Sequence, residues 1–256
     1  MPRIVLDEVG ITYTIRFAHR VSFKEVLVRS FKRGANPGPT RVEALKGVTL
    51  NIEKGERVGM IGRNGAGKSS LLKLMAGVYT PTTGTRTVEG SIGSLFDISL
   101  GFEPDATGRE NIAYRSYLQG ETPKTLKPKF NDIASFSELG EFLDVPVRNY
   151  SAGMVTRLAF AISTAIEPDV LLIDEVFSAG DAGFQRKAHQ RMRDMIGQAG
   201  IVVMISHDMN TIKQFCDRVI WLSDGRVHRD GPAHEVIDEF TEYFANEPPA
   251  PAAEAA

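Results

Sequence analysis

The chain has 256 residues, 42% of them hydrophobic, and a formal net charge of −2. That length suits one large α/β domain or a domain with an inserted subdomain, and that apolar content excludes global disorder. The charge balance argues against a dedicated nucleic-acid binder, the lone Cys216 excludes an internal disulfide or a cysteine metal cluster, and no apolar run reaches the roughly 18 residues of a membrane-spanning helix. Cys216 reads as a small core residue in a reducing compartment. The opening residues, Met1 to Asp7, meet acid too soon for a secretory signal.

Residues 4–9 alternate as a strand, and 10–15 continue or border it. In residues 21–31, Phe23, Val26, Leu27 and Phe31 share one helical face, with Lys24, Glu25 and Arg29 outside it. Arg16, His19, Arg20, Lys24, Arg29, Lys32, Arg33 and Arg41 make 16–41 a basic insertion. It is either a solvated surface helix or one held near a membrane face or partner. Gly34-Ala35-Asn36-Pro37-Gly38-Pro39 is a loop. Residues 42–53 read as a strand pair, with Lys54-Gly55-Glu56 turning into the apolar run Arg57-Val58-Gly59-Met60-Ile61.

After that run comes Gly62-Arg63-Asn64-Gly65-Ala66-Gly67-Lys68-Ser69, which opens a helical stretch to Met75. Strand, glycine-rich turn and helix are the setting in which this spacing becomes a phosphate loop. The glycines let backbone N–H groups approach phosphate oxygens, and the helix aims its positive end at the same anion. The nucleotide contacts are expected from Gly62, Asn64, Gly65, Ala66, Gly67, Lys68, Ser69 and Ser70. Lys68 can reach the β- and γ-phosphates, and Ser69 can ligate Mg²⁺.

Pro81-Thr82-Thr83-Gly84 breaks the chain, and 85–88 and 91–96 are short strands. From 97 to 166 strand patterns give way to short helical ones, at 108–118, 123–136, 138–143 and 152–166, as in an inserted helical subdomain. The core resumes at Asp169 with a buried strand ending in Asp174-Glu175. A helix over 181–197, a strand over 201–205 ending at Ser206-His207-Asp208, a hairpin around Ser223-Asp224 and a helix over 232–244 follow. Residues 247–256 form a Pro/Ala-rich disordered tail.

In an open parallel sheet, chemistry collects at the carboxyl ends of the strands. Three such ends carry the phosphate loop, Asp174-Glu175 and His207. Asp174 is placed to hold Mg²⁺, Glu175 to polarise an attacking water, and His207 to donate to a γ-phosphate. Each alone could be a strand end meeting solvent or a capping histidine; together with the phosphate loop they read as one ATP site.

The order of these elements resembles the ATP-binding cassette family, from residue 4 to about 244. The resemblance implies a phosphate-loop (P-loop) NTPase core of RecA-like α/β type, with an N-terminal antiparallel β subdomain and an inserted α-helical subdomain. The domain would span 1–246, its core being 1–96 and 167–246 and its insertion 97–166. Tyr150-Ser151-Ala152-Gly153-Met154 looks like the family's signature peptide, with Ala152 and Met154 departing from the usual LSGGQ. Ser151 and Gly153, the positions that face phosphate, are kept, and a serine at a helix start still offers its hydroxyl and backbone N–H groups to an anion. The resemblance makes Asp181 a D-loop contact across a dimer, His207 the switch histidine and Tyr13 the aromatic that stacks on adenine. The family's Q-loop glutamine is absent near 95–99, and Asp97 is the nearest side chain that could serve the metal.

The degenerate signature, the phrase Gly101-Phe102-Glu103-Pro104-Asp105-Ala106-Thr107-Gly108-Arg109-Glu110-Asn111 and the basic insertion resemble the ATP-binding subunits of bacterial polysaccharide exporters. That subgroup implies a peripheral ATPase subunit on the cytoplasmic face of the membrane, working as a homodimer. Two copies of a separate transmembrane permease and a lipid-linked polysaccharide cargo go with it, and no nucleic acid. Rival readings are a chromosomal ATPase, which would need a long coiled coil that is absent here; a transporter subunit for another substrate; and a small-molecule kinase.

Overall fold

The computed structural model describes residues 1–15, 40–96, 101–174 and 182–245. Asp97, Glu175, Asp181, the basic insertion from 16 to 39 and the tail 247–256 lie outside the described residues. So does the amphipathic pattern over 21–31.

Two sheets organise the molecule. Strands β1 (Arg3–Ile15), β2 (Thr40–Glu53) and β4 (Thr83–Glu89) form an antiparallel sheet in the order β2-β1-β4. Strands β3 (Arg57–Ile61), β5 (Ile92–Leu95), β6 (Val170–Asp174), β7 (Ile201–Ile205), β8 (Arg218–Ser223) and β9 (Arg226–Pro232) form the second, ordered β5-β6-β7-β3-β8-β9. All pairs in that sheet are parallel except β8 with β9. β7 is buried along its whole length, and β3 and β6 everywhere but one end, as a sheet covered on both faces requires.

The 42–53 stretch is one strand rather than a strand pair. Leu45, Val48, Leu50 and Ile52 all point into the core while β2 follows β1 from end to end. The chain changes sheets at Lys54-Gly55-Glu56, where Gly55 has φ 96 and donates to Gly200 O. One short helix, α1 (Lys68–Met75), packs its Leu71, Leu72, Leu74 and Met75 into the apolar cluster shared by the two sheets. Each such side chain contributes about 1.5–3 kcal/mol by leaving water.

The helical subdomain has its own core of Ile112, Leu126, Ile133, Leu143, Leu158 and Ile162. Helix α2 (Gly108–Leu118) starts at a capping box, with Thr107 accepting from Glu110 N–H and Glu110 accepting from Thr107 N–H. Helix α3 (Pro123–Ser137) has its own box at Thr122 and Thr125, and stops where Glu138 turns left-handed at φ 55. The helix expected over 138–143 is therefore a tight 3₁₀ turn, Gly140–Asp144, held by Phe142 N–H to Leu139 O at 3.0 Å. Helix α4 (Ala152–Ser163) ends three residues before the expected 166, at the C-cap Thr164, whose N–H and hydroxyl both donate to the Phe160 carbonyl, at 3.0 and 2.7 Å.

Helices α5 (Ala182–Gln198), α6 (Met209–Phe215) and α7 (Ala233–Ala245) contribute to a third cluster, on the other face of the large sheet. α6 is an addition to the sequence reading. Its cap, Asp208, accepts from the N–H groups of Asn210 at 3.0 Å and Thr211 at 3.2 Å. Arg218 ties the sheets together: it forks onto both Asp230 oxygens at 2.7 Å and reaches Glu56 at 2.8 Å and Asn51 O at 3.0 Å. Asp230, then Glu56, hold its guanidinium above its usual pKa.

Candidate nucleotide site

The loop between β3 and α1 is fixed by backbone contacts that only glycine permits at two positions. Gly62 has φ 148, and a Cβ there would sit 2.3 Å from Leu222 O. Gly67 has φ 103, and a Cβ there would sit 2.6 Å from Ala44 O. The loop turns on the Ala66 N–H to Arg63 O bond at 3.1 Å, and the β8–β9 turn holds it through Gly225 N–H to Ala66 O at 3.1 Å. The same Gly225 accepts from Lys46 N–H at 2.8 Å, so the loop is wedged between the hairpin and β2.

Gly67 caps α1 with no side-chain acceptor, and the first intrahelical bond is Leu71 N–H to Gly67 O at 2.9 Å. The first-turn N–H groups therefore face out of the helix end, where its dipole favours an anion. Lys68 is 8% exposed, and its Nζ donates to Gly62 O at 2.6 Å and Arg63 O at 3.1 Å. The ammonium lies folded over the cradle that a phosphate would fill. Asn64, Gly65 and Ser69 are exposed at the mouth, while Ala66 is buried. Ser70 is half-buried and accepts from the Tyr13 hydroxyl at 3.1 Å. The Tyr13 ring stands edge-on to Tyr79, with centroids 5.7 Å apart.

The register of the parallel strands sets what lies beside the loop. Asp174 is level with Ile205, and Ile205 with Met60, so β6, β7 and β3 end side by side. Asp174 is half-buried there. Just past β7, buried Ser206 accepts from Asp208 N–H at 3.1 Å, and Asp208 caps α6. Exposed His207 is thus held between a buried serine and a helix cap. The Thr211 hydroxyl, then the Asn210 N–H, keep the Asp208 carboxyl below the usual carboxylate pKa.

Ser151 caps α4 by accepting from Met154 N–H at 3.3 Å, and it and Gly153 are exposed. Tyr150 anchors this peptide: its hydroxyl donates to Phe142 O at 2.6 Å, and its ring packs on the helical subdomain's core. Burial, then Asp144, raises the Tyr150 pKa. The glycine-rich loop and the 150–154 peptide belong to different packing clusters.

The donors fit Mg²⁺. Ser69 and Asp174 offer hard oxygens, and among the described residues no group of three His, Cys, Asp or Glu side chains could make an all-protein cage. Mg²⁺ takes hard oxygen donors of this kind, keeps several waters and shares substrate phosphate oxygens. Sequence reasoning missed the backbone supports, Leu222 and Gly225, and the Ser206–Asp208 brace. Only the Asp-x-x-Thr capping pattern at 208–211 could have signalled any of them.

Comparison with known proteins gives consistent findings. A family model described as ABC transporter matches residues 45–178. An O-antigen export system ATP-binding protein of Yersinia enterocolitica is 41% identical over 235 residues, covering 90% of this chain and 98% of that protein. An O-antigen export system ATP-binding protein of Myxococcus xanthus is 42% identical over 94% of this chain, which spans 56% of that protein. A teichoic acids export ATP-binding protein of Lactococcus lactis is 42% identical over 78% of this chain and 43% of its own length. Among solved structures, an ATP-binding cassette in a dimeric post-hydrolysis state bound to ADP and Pi superposes with a TM-score of 0.66. It is 23% identical and covers 90% of this chain and 98% of the other, a likeness of fold.

Proposed function

The chain belongs to the ABC transporter family, and on that premise we propose that it is the ATP-hydrolysing subunit of an exporter of lipid-linked polysaccharide. The observation that carries the ATPase part is the alignment of three strand ends: phosphate loop, Asp174 and His207 share one edge of the parallel sheet. The cargo is supported by the names of the relatives, which are O-antigen and teichoic acid export proteins.

In this reading the loop N–H groups and Lys68 bind the β- and γ-phosphates, and Tyr13 turns from Tyr79 to stack on adenine. Ser69, Asp174 and Asp97 would hold Mg²⁺, which would supply neutralisation of charge on the phosphate oxygens. Glu175 takes the proton of the attacking water as it adds to the γ-phosphorus, and the bond to the bridging oxygen breaks to release ADP. His207 orients the γ-phosphate from its braced turn. The helix end at Ser151 and Gly153 faces outward and supplies anion donors to the nucleotide of a second copy, with Asp181 alongside. The subunit would sit peripherally on a separate permease, two copies of each; no helix among the described residues is long and apolar enough to cross a membrane.

The test is purification of the chain with its membrane partner, followed by phosphate release and surface polysaccharide measurement in cells carrying Glu175→Gln. Loss of both supports the reading. Loss of phosphate release with normal surface polysaccharide, and loss of transport of some other compound, favours a different cargo.

A further inference from the structure

The last described helix touches the phosphate loop. The Arg63 guanidinium lies over the Phe244 ring, 5.6 Å from its centroid, within cation–π range. Arg63 is not an arbitrary loop residue. Its carbonyl accepts both Ala66 N–H at 3.1 Å, the bond that closes the turn, and Lys68 Nζ at 3.1 Å. Whatever holds Arg63 therefore holds the turn and the resting place of the phosphate-binding ammonium.

Phe244 is itself held. It belongs to a cluster on α7 with Phe240 at 4.8 Å and Tyr243 at 5.0 Å, ring centroid to centroid. Trp221 packs on all three, at 5.2 Å from Phe240 and Tyr243 and 6.1 Å from Phe244. Trp221 is on β8 in register with Ile61, the last residue before the loop. A side-chain route thus runs beside a backbone one, the Leu222 and Gly225 contacts already described.

We propose that Phe244 is a positioning residue for the nucleotide site: through Arg63 it fixes the turn of the phosphate loop and the path by which Lys68 leaves its resting carbonyls. The inference rests on the loop being the nucleotide site, but it assigns α7 a role that ATP chemistry alone does not require. It also makes the single Trp221 a native reporter, since the ring between loop and helix should sense the loop when nucleotide enters.

The experiment uses the full chain. ATP affinity is measured with a fluorescent ATP analogue and by Trp221 emission, alongside melting temperature and the KM and kcat of phosphate release. Phe244→Ala and Phe244→Leu should each weaken binding by about two- to five-fold, the scale of an exposed cation–π contact. The change should fall on KM rather than kcat. Phe244→Tyr should restore affinity, because it keeps the ring face, whereas Leu keeps only apolar bulk. Arg63→Ala should weaken binding similarly, and the double variant no further. Unchanged affinity in Phe244→Ala, rescue by Leu, or additive effects with Arg63→Ala would each overturn the proposal. Loss of binding in Lys68→Ala with normal binding in Phe244→Ala would leave the nucleotide site standing and remove only this role.

Discussion

At the residue scale, two buried groups make clear tests. Arg115 is 7% exposed, its Nη1 is buried with no hydrogen-bond partner among the described residues, and its guanidinium lies 4.5 Å from the Phe102 ring centroid. Burial pushes its pKa down to about 10. An unsatisfied buried donor costs about 1–3 kcal/mol, and the ring returns about 1 kcal/mol. Arg115→Met is therefore expected to stabilise the chain by about 1 kcal/mol, seen as a higher melting temperature. A clear fall would mean that the guanidinium makes a stabilising contact beyond the Phe102 ring. Cys216 is 5% exposed, and burial, with Asp217 adding, pushes its thiol up to about 12. It should resist alkylation at pH 8 unless the chain is unfolded. The folded state keeps the thiol proton longer, so this contribution is whole below about pH 8.5, the ordinary thiol value, and is lost as pH rises toward 12. Rapid labelling of the native chain would contradict the burial.

At the scale of elements, the basic insertion is what ATP chemistry explains least. Replacing residues 21–33 by a short Gly/Ser bridge is expected to leave ATP binding and melting temperature nearly unchanged while surface polysaccharide falls. A large drop in melting temperature would mean that Phe23 and Phe31 pack on the domain instead; normal surface polysaccharide would remove the segment from the export path. How far elements were legible follows from where their signals lie. The loop, α1 and the buried β6 and β7 announce themselves locally, through glycine spacing and continuous apolar runs. α2 was readable because Thr107 and Glu110 form a capping box three residues apart. The sequence does not display β2 as a single strand, because its slip in alternation at Gly47, φ 66, is a bulge fixed by pairing with β1, a contact far along the chain. The 3₁₀ turn after Glu138 was hidden for a similar reason: a left-handed non-glycine residue leaves no mark in composition. The charged and hydroxyl groups of the proposed site stand in motifs that the sequence alone displays. Its backbone scaffold, Leu222 O against Gly62 and Gly225 between Ala66 and Lys46, is not displayed there, since any residue supplies a carbonyl.

At the scale of the whole molecule, the proposal needs two copies. The helix cap at Ser151 stands on the helical subdomain, while the glycine-rich loop stands in the cluster between the sheets. The subdomain meets α5 through Phe136, Phe160 and Phe184, with Arg191 bonded to Thr164 O at 3.2 Å and Asp132 at 2.6 Å. In Glu175→Gln, with hydrolysis blocked, ATP should drive a dimer detectable by size-exclusion chromatography. Adding Ser151→Arg, which puts bulk and charge at the second copy's phosphate site, should abolish the dimer and spare monomer binding. A dimer that forms regardless would take the signature role from Tyr150–Met154. The proposed function depends on the loop holding ATP, and the most direct measurement is a calorimetric ATP titration of the wild-type chain and Lys68→Ala with Mg²⁺ present. The account predicts saturable binding by the wild type and none measurable by the variant, whose cradle has lost the charge that meets the β- and γ-phosphates. Equal affinity in the two proteins would contradict it.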